Sequence, residues 1–251
     1  MTAALARHDY ATRDDLASAL ASGVAAVLAG GIATSGRALL AVSGGSTPAL
    51  FFEHLAREPI DWAKVVVLPV DDRLVHPAHE RSNAKLIREH LLVDAAAAAR
   101  FAPMGERDGR MALADDEATL AIGGEPVDAL VLGMGGDGHT ASFFADGDSY
   151  DEATDPTCPV AVLPLRTPSQ PEGRITLTMP VILGARFLAL HIEGDEKRDV
   201  LARAVSEAQG GARGKARGEV RGEAGDAPGA AGLPIARVLR HAPSIEVFWT
   251  A

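Results

Sequence analysis

Apolar residues recur along this chain in two rhythms, and the alternation between them sets the expected architecture. Between Asp14 and Leu28 the residues Leu16, Leu20, Val24, Val27 and Leu28 fall three and four apart, which predicts an amphipathic helix ended by Gly30-Gly31. Arg37 to Val42 is a short apolar run of the kind that forms a buried strand. Ala49 to Arg57 reads as the next helix, with Thr47 as its N-cap and Pro48 at its first position. Further strands are expected at Val65 to Val70, Val127 to Leu132, Val160 to Leu165, Arg174 to Thr178, Phe187 to Ile192 and Ile245 to Trp249. In the fourth of these, Ile175, Leu177 and Met179 alternate with Thr176 and Thr178, a pattern with one wet side. Helical spacing returns after Asn83 to about Leu92, at Met111 to Ala121, at Asp199 to about Ala208 and at Pro234 to Leu239, and a short helix is expected over Thr140 to Phe144. Strands that alternate with helices predict an α/β fold: a three-layer, doubly wound, mainly parallel sheet with helices on both faces, its strand order left open.

Composition changes this picture in one place. From Gln209 to Gly232 the chain turns to Gly, Ala, Arg and Glu with almost no large apolar residue, so that stretch is expected to be a mobile surface insertion in a single domain spanning residues 1–251. At 251 residues the chain can bury a substantial core. Its formal net charge of -10 argues against a nucleic-acid surface, which needs clustered Lys and Arg. Cys158 is the only cysteine, which excludes an intrachain disulfide and a thiolate cluster and points to a reducing compartment. No export signal stands out, and no segment approaches the roughly 18 uninterrupted apolar residues of a membrane span. A cytoplasmic protein with no membrane partner is the expectation, and oligomeric state is left open.

The candidate chemistry sits where the expected strands end. Ser43-Gly44-Gly45-Ser46-Thr47-Pro48 joins a strand to a helix, an arrangement whose free backbone N–H groups and hydroxyls suit a phosphate. A flexible connection is the alternative, and the Lys-Ser/Thr ending of a P-loop is missing. Asp71-Asp72-Arg73 follows the next strand, either as ligand-facing charges or as a local ion pair. His76 and His79 lack the acid or cysteine spacing of a metal site. The most informative stretch is Leu130-Val131-Leu132-Gly133-Met134-Gly135-Gly136-Asp137-Gly138-His139-Thr140, a strand that stops at a glycine cluster presenting an acid and an imidazole. Lys197 places a cation at a later strand-to-helix turn, or in a solvated charge run.

Taken together, these stretches resemble the 6-phosphogluconolactonases, within the wider group of sugar-phosphate isomerases and deaminases that includes glucosamine-6-phosphate deaminase. The matching segments are Ser43 to Pro48, Asp71 to Arg73 with Ser82-Asn83, Gly133 to Ser142, Arg174 to Thr178, Gly194 with Lys197, and Arg240-His241-Ala242-Pro243. They run in family order over nearly the whole chain. The chain departs from the pattern at Asp72, one methylene shorter than the family's glutamate, at Val75-His76-Pro77, and in the length of its Gly-rich insertion.

The resemblance implies hydrolysis of a sugar-phosphate lactone with no metal and no cofactor. It makes His139 the general base for water, with either Asp71 or Asp137 orienting the imidazole. It gives phosphate binding to Ser43, Gly44, Gly45, Ser46, Thr47, Arg73 and Lys197, with Arg174 as an addition. Backbone N–H groups from Gly133 to Gly138 are the candidate oxyanion donors. Two other readings compete: an amino-sugar-phosphate isomerase or deaminase sharing these loops, and a non-catalytic sugar-phosphate sensor. A sensor in a transcriptional regulator would carry an added DNA-binding helix pair, and none is evident before the first expected strand.

Overall fold

A computed structural model describes residues 3–107, 110–111, 116–215 and 232–251. The chain opens with β1 (Ala4–Tyr10), α1 (Arg13–Ser35), β2 (Ala38–Val42), α2 (Ala49–Leu55), β3 (Val65–Pro69), β4 (Asp71–Arg73) and α3 (Asn83–His90). It continues through β5 (Arg100–Phe101), the two-residue strands β6 (Glu106–Arg107) and β7 (Arg110–Met111), α4 (Glu117–Ile122), β8 (Ala129–Leu132) and α5 (Tyr150–Ala153). It closes with β9 (Val162–Leu165), β10 (Arg174–Leu177), α6 (Met179–Leu183), β11 (Phe187–Glu193), α7 (Asp195–Lys215), α8 (Pro234–His241) and β12 (Ser244–Thr250).

Seven strands form one sheet in the order β1-β12-β11-β8-β2-β3-β5, and all its pairings are parallel. Because both faces of a parallel sheet are covered, its inner strands are apolar on both sides: β2, β3 and β8 are buried at every residue. One face packs against α1, α2 and α3 through Leu16, Leu20, Phe51, Phe52 and Ile87. The opposite face packs Leu39, Leu130 and Leu190 against Val200 of α7, Val238 of α8 and the side chains of β9 and β10. This is the expected three-layer arrangement.

A second sheet, β4-β10-β9, is antiparallel and was not anticipated. Asp71, Asp72 and Arg73 read as a charged loop, yet they form β4 and pair with Thr176, Ile175 and Arg174. The pairing also removes the wet side expected of β10, all of whose residues are buried. Thr176 is tolerated there because its hydroxyl is satisfied, accepting from the Ser142 N–H at 3.2 Å and donating to Leu177 O at 3.0 Å.

Several expected boundaries shift for identifiable reasons. α1 runs through Gly30-Gly31 and ends at Gly36, which is left-handed at φ 77°. Gly31 serves close packing instead of termination, since a Cβ there would stand 2.8 Å from the Asp128 carboxylate at the head of β8. By length and composition α1 is apolar enough to cross a membrane, but Leu16, Leu20, Val24 and Leu28 are spent against the sheet. α2 begins at Ala49, with Pro48 in the cap position and no side-chain cap from Thr47. Thr140 to Phe144 is a turn, not a helix, because Ala141 sits at φ 50°; Phe143 and Phe144 are buried as expected. Of the stretch expected to be a mobile insertion, Gln209 to Lys215 continue helix α7, and residues 216–231 lie outside the described residues. The helix expected over Met111 to Ala121 is confined to α4, with residues 112–115 likewise outside them.

Candidate active site

The strand order reverses between β2 and β8: from β2 the chain steps outward to β3 and β5, and from β8 it steps the other way to β11 and β12. Open α/β sheets form a crevice at the carboxyl ends of such a pair. Both glycine-rich turns emerge there, side by side, and a cavity of about 340 Å³ opens between them. Ser43, Gly44, Gly45, Ser46, Thr47, Asp71, Arg73, His139, Arg174 and Lys197 all line it. Asp137 does not line it but touches a residue that does.

The turn after β8 is bonded to itself. Gly135 N–H donates to His139 O at 2.9 Å, Gly138 N–H to Gly135 O at 3.0 Å, and the Thr140 hydroxyl to Gly133 O at 2.8 Å. Gly135 has no room for a side chain, since a Cβ would overlap the His139 ring and the Asp137 carboxylate. His139 Nδ1 lies 2.5 Å from Asp137 Oδ1, and the His139 N–H reaches the same oxygen at 3.1 Å. A carboxylate only accepts, so Nδ1 carries the proton and Nε2 is left as the basic nitrogen. The bond from His139 holds the Asp137 carboxyl below its ordinary value, against the opposing effect of burial. The imidazole is 33% exposed and stacks on Phe144 with centroids 4.5 Å apart.

Asp71, the other carboxylate considered as partner for His139, is engaged elsewhere. Its Oδ2 accepts from the Ser142 hydroxyl at 2.5 Å, and its backbone carbonyl accepts from Asn83 Nδ2 at 2.7 Å. Asp72, despite its shorter side chain, reaches the N–H groups of Arg73 and Asn83, both at 2.7 Å, and of Ala84 at 2.9 Å. It thereby ties β4 to the start of α3. Burial pushes its carboxyl above the ordinary value even against these bonds, and the Asp71 charge adds to the rise.

Arg73 and Arg174 stand opposite each other in the β4–β10 register. Like charges in that relation are destabilising. Arg73 donates to Arg81 O at 2.8 Å and to Asn83 Oδ1 at 2.9 Å, and Arg174 donates to Gln170 at 2.7 Å. The Nε atoms of both are buried with no partner among the described residues. Burial first, then the charge of Arg73, lower the Arg174 pKa. Two guanidiniums held together with unspent donors have the chemistry to accept an anion between them.

At the other side of the cavity the turn after β2 is open. Gly45 is at φ 100° with nothing near a would-be Cβ, and the buried Ser43 hydroxyl has no partner among the described residues. Gly44 is required for a different reason, because the Asn83 carboxamide lies where its Cβ would be. Lys197, in the first turn of α7, reaches the Thr47 hydroxyl at 3.4 Å. Burial lowers its pKa, and the charges of Glu193 and Glu196 only partly restore it. His76 and His79 instead accept backbone N–H groups within their own loop, from Ala78 at 3.2 Å and Arg81 at 3.1 Å.

Residues 11–221 match the family described as glucosamine-6-phosphate isomerases/6-phosphogluconolactonase. The chain belongs to this family. A 6-phosphogluconolactonase of Rhizobium meliloti (strain 1021) is 42% identical over 248 residues, covering 96% of this chain and 97% of that protein. One of Mesorhizobium japonicum is 44% identical over 243 residues, covering 96% of this chain and 93% of the relative. The crystal structure of a 6-phosphogluconolactonase from Shewanella baltica OS155 aligns with a TM-score of 0.82 at 31% identity, and the alignment covers 100% of both chains.

In this member of the glucosamine-6-phosphate isomerase/6-phosphogluconolactonase family, some residues that shape the site carry no individual role in the sequence reading. Asn83 bridges Asp71 and Arg73, Ser142 holds Asp71, Phe144 carries the His139 ring, and His191 of β11 lines the cavity. Ser82-Asn83 was visible as a motif, but the bridging amide depends on contacts between segments distant in sequence. Phe144 read only as an inward-packing ring.

Proposed function

We propose that this chain hydrolyses 6-phospho-D-glucono-1,5-lactone to 6-phosphogluconate, the lactonase step of the oxidative pentose phosphate pathway. Family membership and two near full-length lactonase relatives support the reaction. The observation that carries the mechanism is the Asp137–His139 contact at the mouth of a cavity lined by cations. His139 Nε2 takes a proton from water as the water oxygen attacks the lactone carbonyl carbon. The N–H groups of Gly135 and Gly138 are already engaged within the loop, which narrows the oxyanion donors to its other amides. The tetrahedral oxyanion collapses, the bond from carbon to ring oxygen breaks, and the imidazolium returns its proton to that oxygen. The product is the open-chain acid, which ionises. Asp137 holds the ring and stabilises its charged form, while Lys197, Arg73, Arg174 and the Ser43 to Thr47 turn fix the anionic substrate. We place this activity in the cytoplasm, on a small sugar-phosphate lactone.

The test is a coupled assay with freshly prepared 6-phosphogluconolactone, corrected for spontaneous hydrolysis. Turnover well above background is expected, and a rate equal to background rejects the reading. Release of ammonia from glucosamine 6-phosphate would instead assign the chain to the isomerase branch of its family.

A further inference from the structure

The mechanism leaves two buried titratable side chains of the cavity unused: Asp71, which Ser142 and Asn83 hold within the fold, and His191. His191 is 3% exposed and lies on β11, one residue past the Leu190–Leu132 pair that joins this strand to β8. The rest of the strand from Phe187 to Ile192 is apolar, as a strand buried on both faces requires. A polar ring at such a position costs free energy unless it is paired. Yet His191 Nε2 is buried with no hydrogen bond of regular geometry among the described residues, standing 3.4 Å from Glu193 Oε1.

Its surroundings are those of the β2 turn. The ring meets Phe51 edge-on, with centroids 6.1 Å apart, and Phe51 belongs to the helix that follows Thr47 and Pro48. The charged groups around it come from three elements: Glu193 on its own strand, Arg13 of α1 paired to Glu193, and Lys197 of α7. From α2 the facing side chain is the uncharged Phe51. Burial raises the Glu193 carboxyl, but His191 and Arg13 outweigh it and leave the group below its ordinary value, so an anion stands behind the ring. Ser43, with its own unpartnered hydroxyl, lines the same cavity.

We propose that His191 is a ligand-binding residue of the phosphate end of this cavity, its imidazole bridging the Glu193 carboxylate and an oxygen of the substrate phosphate. A ring that donates at both nitrogens is an imidazolium, and it adds a cation beside Lys197 without adding a flexible side chain. Glu193 and Arg13 act behind it as positioning residues. The identity of the ligand rests on the lactonase reading; the anion-binding role does not.

The experiment compares wild type, His191→Leu, which keeps apolar volume, and His191→Gln, which keeps a donor. With 6-phosphogluconolactone, His191→Leu is expected to raise KM about tenfold with a much smaller change in kcat, and to weaken 6-phosphogluconate binding by the same factor. His191→Gln is expected to recover most of that loss, and Glu193→Gln to raise KM about threefold. KM values unchanged in both His191 variants overturn the proposal, as does a parallel fall of kcat, affinity and melting temperature in both, which marks a packing role. Should neither variant fold, the His191 ring-nitrogen NMR signals of the wild type decide: they shift on saturation with 6-phosphogluconate, and unmoved signals overturn the assignment. A wild type that fails to hydrolyse the lactone sinks the lactonase reading alone. Titration of wild type and His191→Leu with inorganic phosphate then tests His191, with equal affinity overturning it.

Discussion

The two glycine-rich turns that meet at the cavity differ in what they leave open. After β8, glycine makes room for the protein's own side chains: Gly135 admits the His139 ring, and the turn spends the Gly135 and Gly138 N–H groups and the Thr140 hydroxyl internally. After β2 the two glycines divide: Gly44 admits the Asn83 carboxamide, whereas Gly45 faces open space and the Ser43 hydroxyl is unspent. One turn holds the His139 ring still, and the other keeps open space beside an unspent hydroxyl; in the proposed mechanism the first carries the base and the second meets the phosphate. Substitutions in the first should therefore act on kcat and in the second on KM.

The largest expected effect is that of His139→Ala, a fall in kcat of about a thousandfold in steady-state assay with little change in 6-phosphogluconate affinity. Near-normal turnover would remove His139 from the base role. Gly135→Ala comes next: the methyl collides with the imidazole and displaces it, and a loss of roughly a hundredfold in kcat is expected without contact with substrate. If this variant instead raised KM alone, the distinction between the two turns would fail.

Lys197 sharpens the receptor side through pH. Its pKa is lowered from 10.5, and the charged amine is the binding form, so affinity for 6-phosphogluconate is full below the shifted value and falls as pH rises through it. Calorimetric titration should show this alkaline weakening begin before an ordinary lysine would titrate, and Lys197→Met should abolish it. The smallest effect is that of Ser43→Ala. Removing a buried, unpaired hydroxyl should leave stability unchanged or raise it by about 1 kcal/mol in denaturant titration, while KM increases by roughly two- to fivefold. Lower stability with unchanged KM would mean that the hydroxyl serves the fold and not the ligand.

How much of this was legible beforehand follows from where each signal resides. The loops at Ser43 to Thr47 and Gly133 to Thr140 could be read because their chemistry is local: an apolar run ends and glycines follow at once. The second sheet could not, because Asp71-Asp72-Arg73 carries no apolar alternation and becomes a strand only by pairing with Arg174 to Thr176. Gly30-Gly31 was misread as a helix stop because the need for glycine came from Asp128, far along the chain. Sequence leaves Asp71 and Asp137 equal as partners for His139, because the Ser142 hydroxyl that engages Asp71 and the short span that joins Asp137 to the ring are facts of the fold. β1 was missed altogether. Ala4 to Tyr10 is short of large apolar residues and mostly exposed at the sheet edge, so neither period nor composition marks it.

That edge strand has a consequence for how the molecule is made. β1 pairs along its whole length with β12, from Ala4 with Ser244 to Tyr10 with Thr250. Pairings so remote in sequence are slow to form, because a very long loop must close before any contact is gained. Synthesis runs from the amino end, so β1 emerges first yet has no neighbour until the final strand leaves the ribosome. β2, β3, β5 and β8 can associate well before then, bringing both glycine turns together. The outer border of the sheet closes last, and a chain arrested before Ser244 would carry a nearly finished pocket beside an unzipped, association-prone edge.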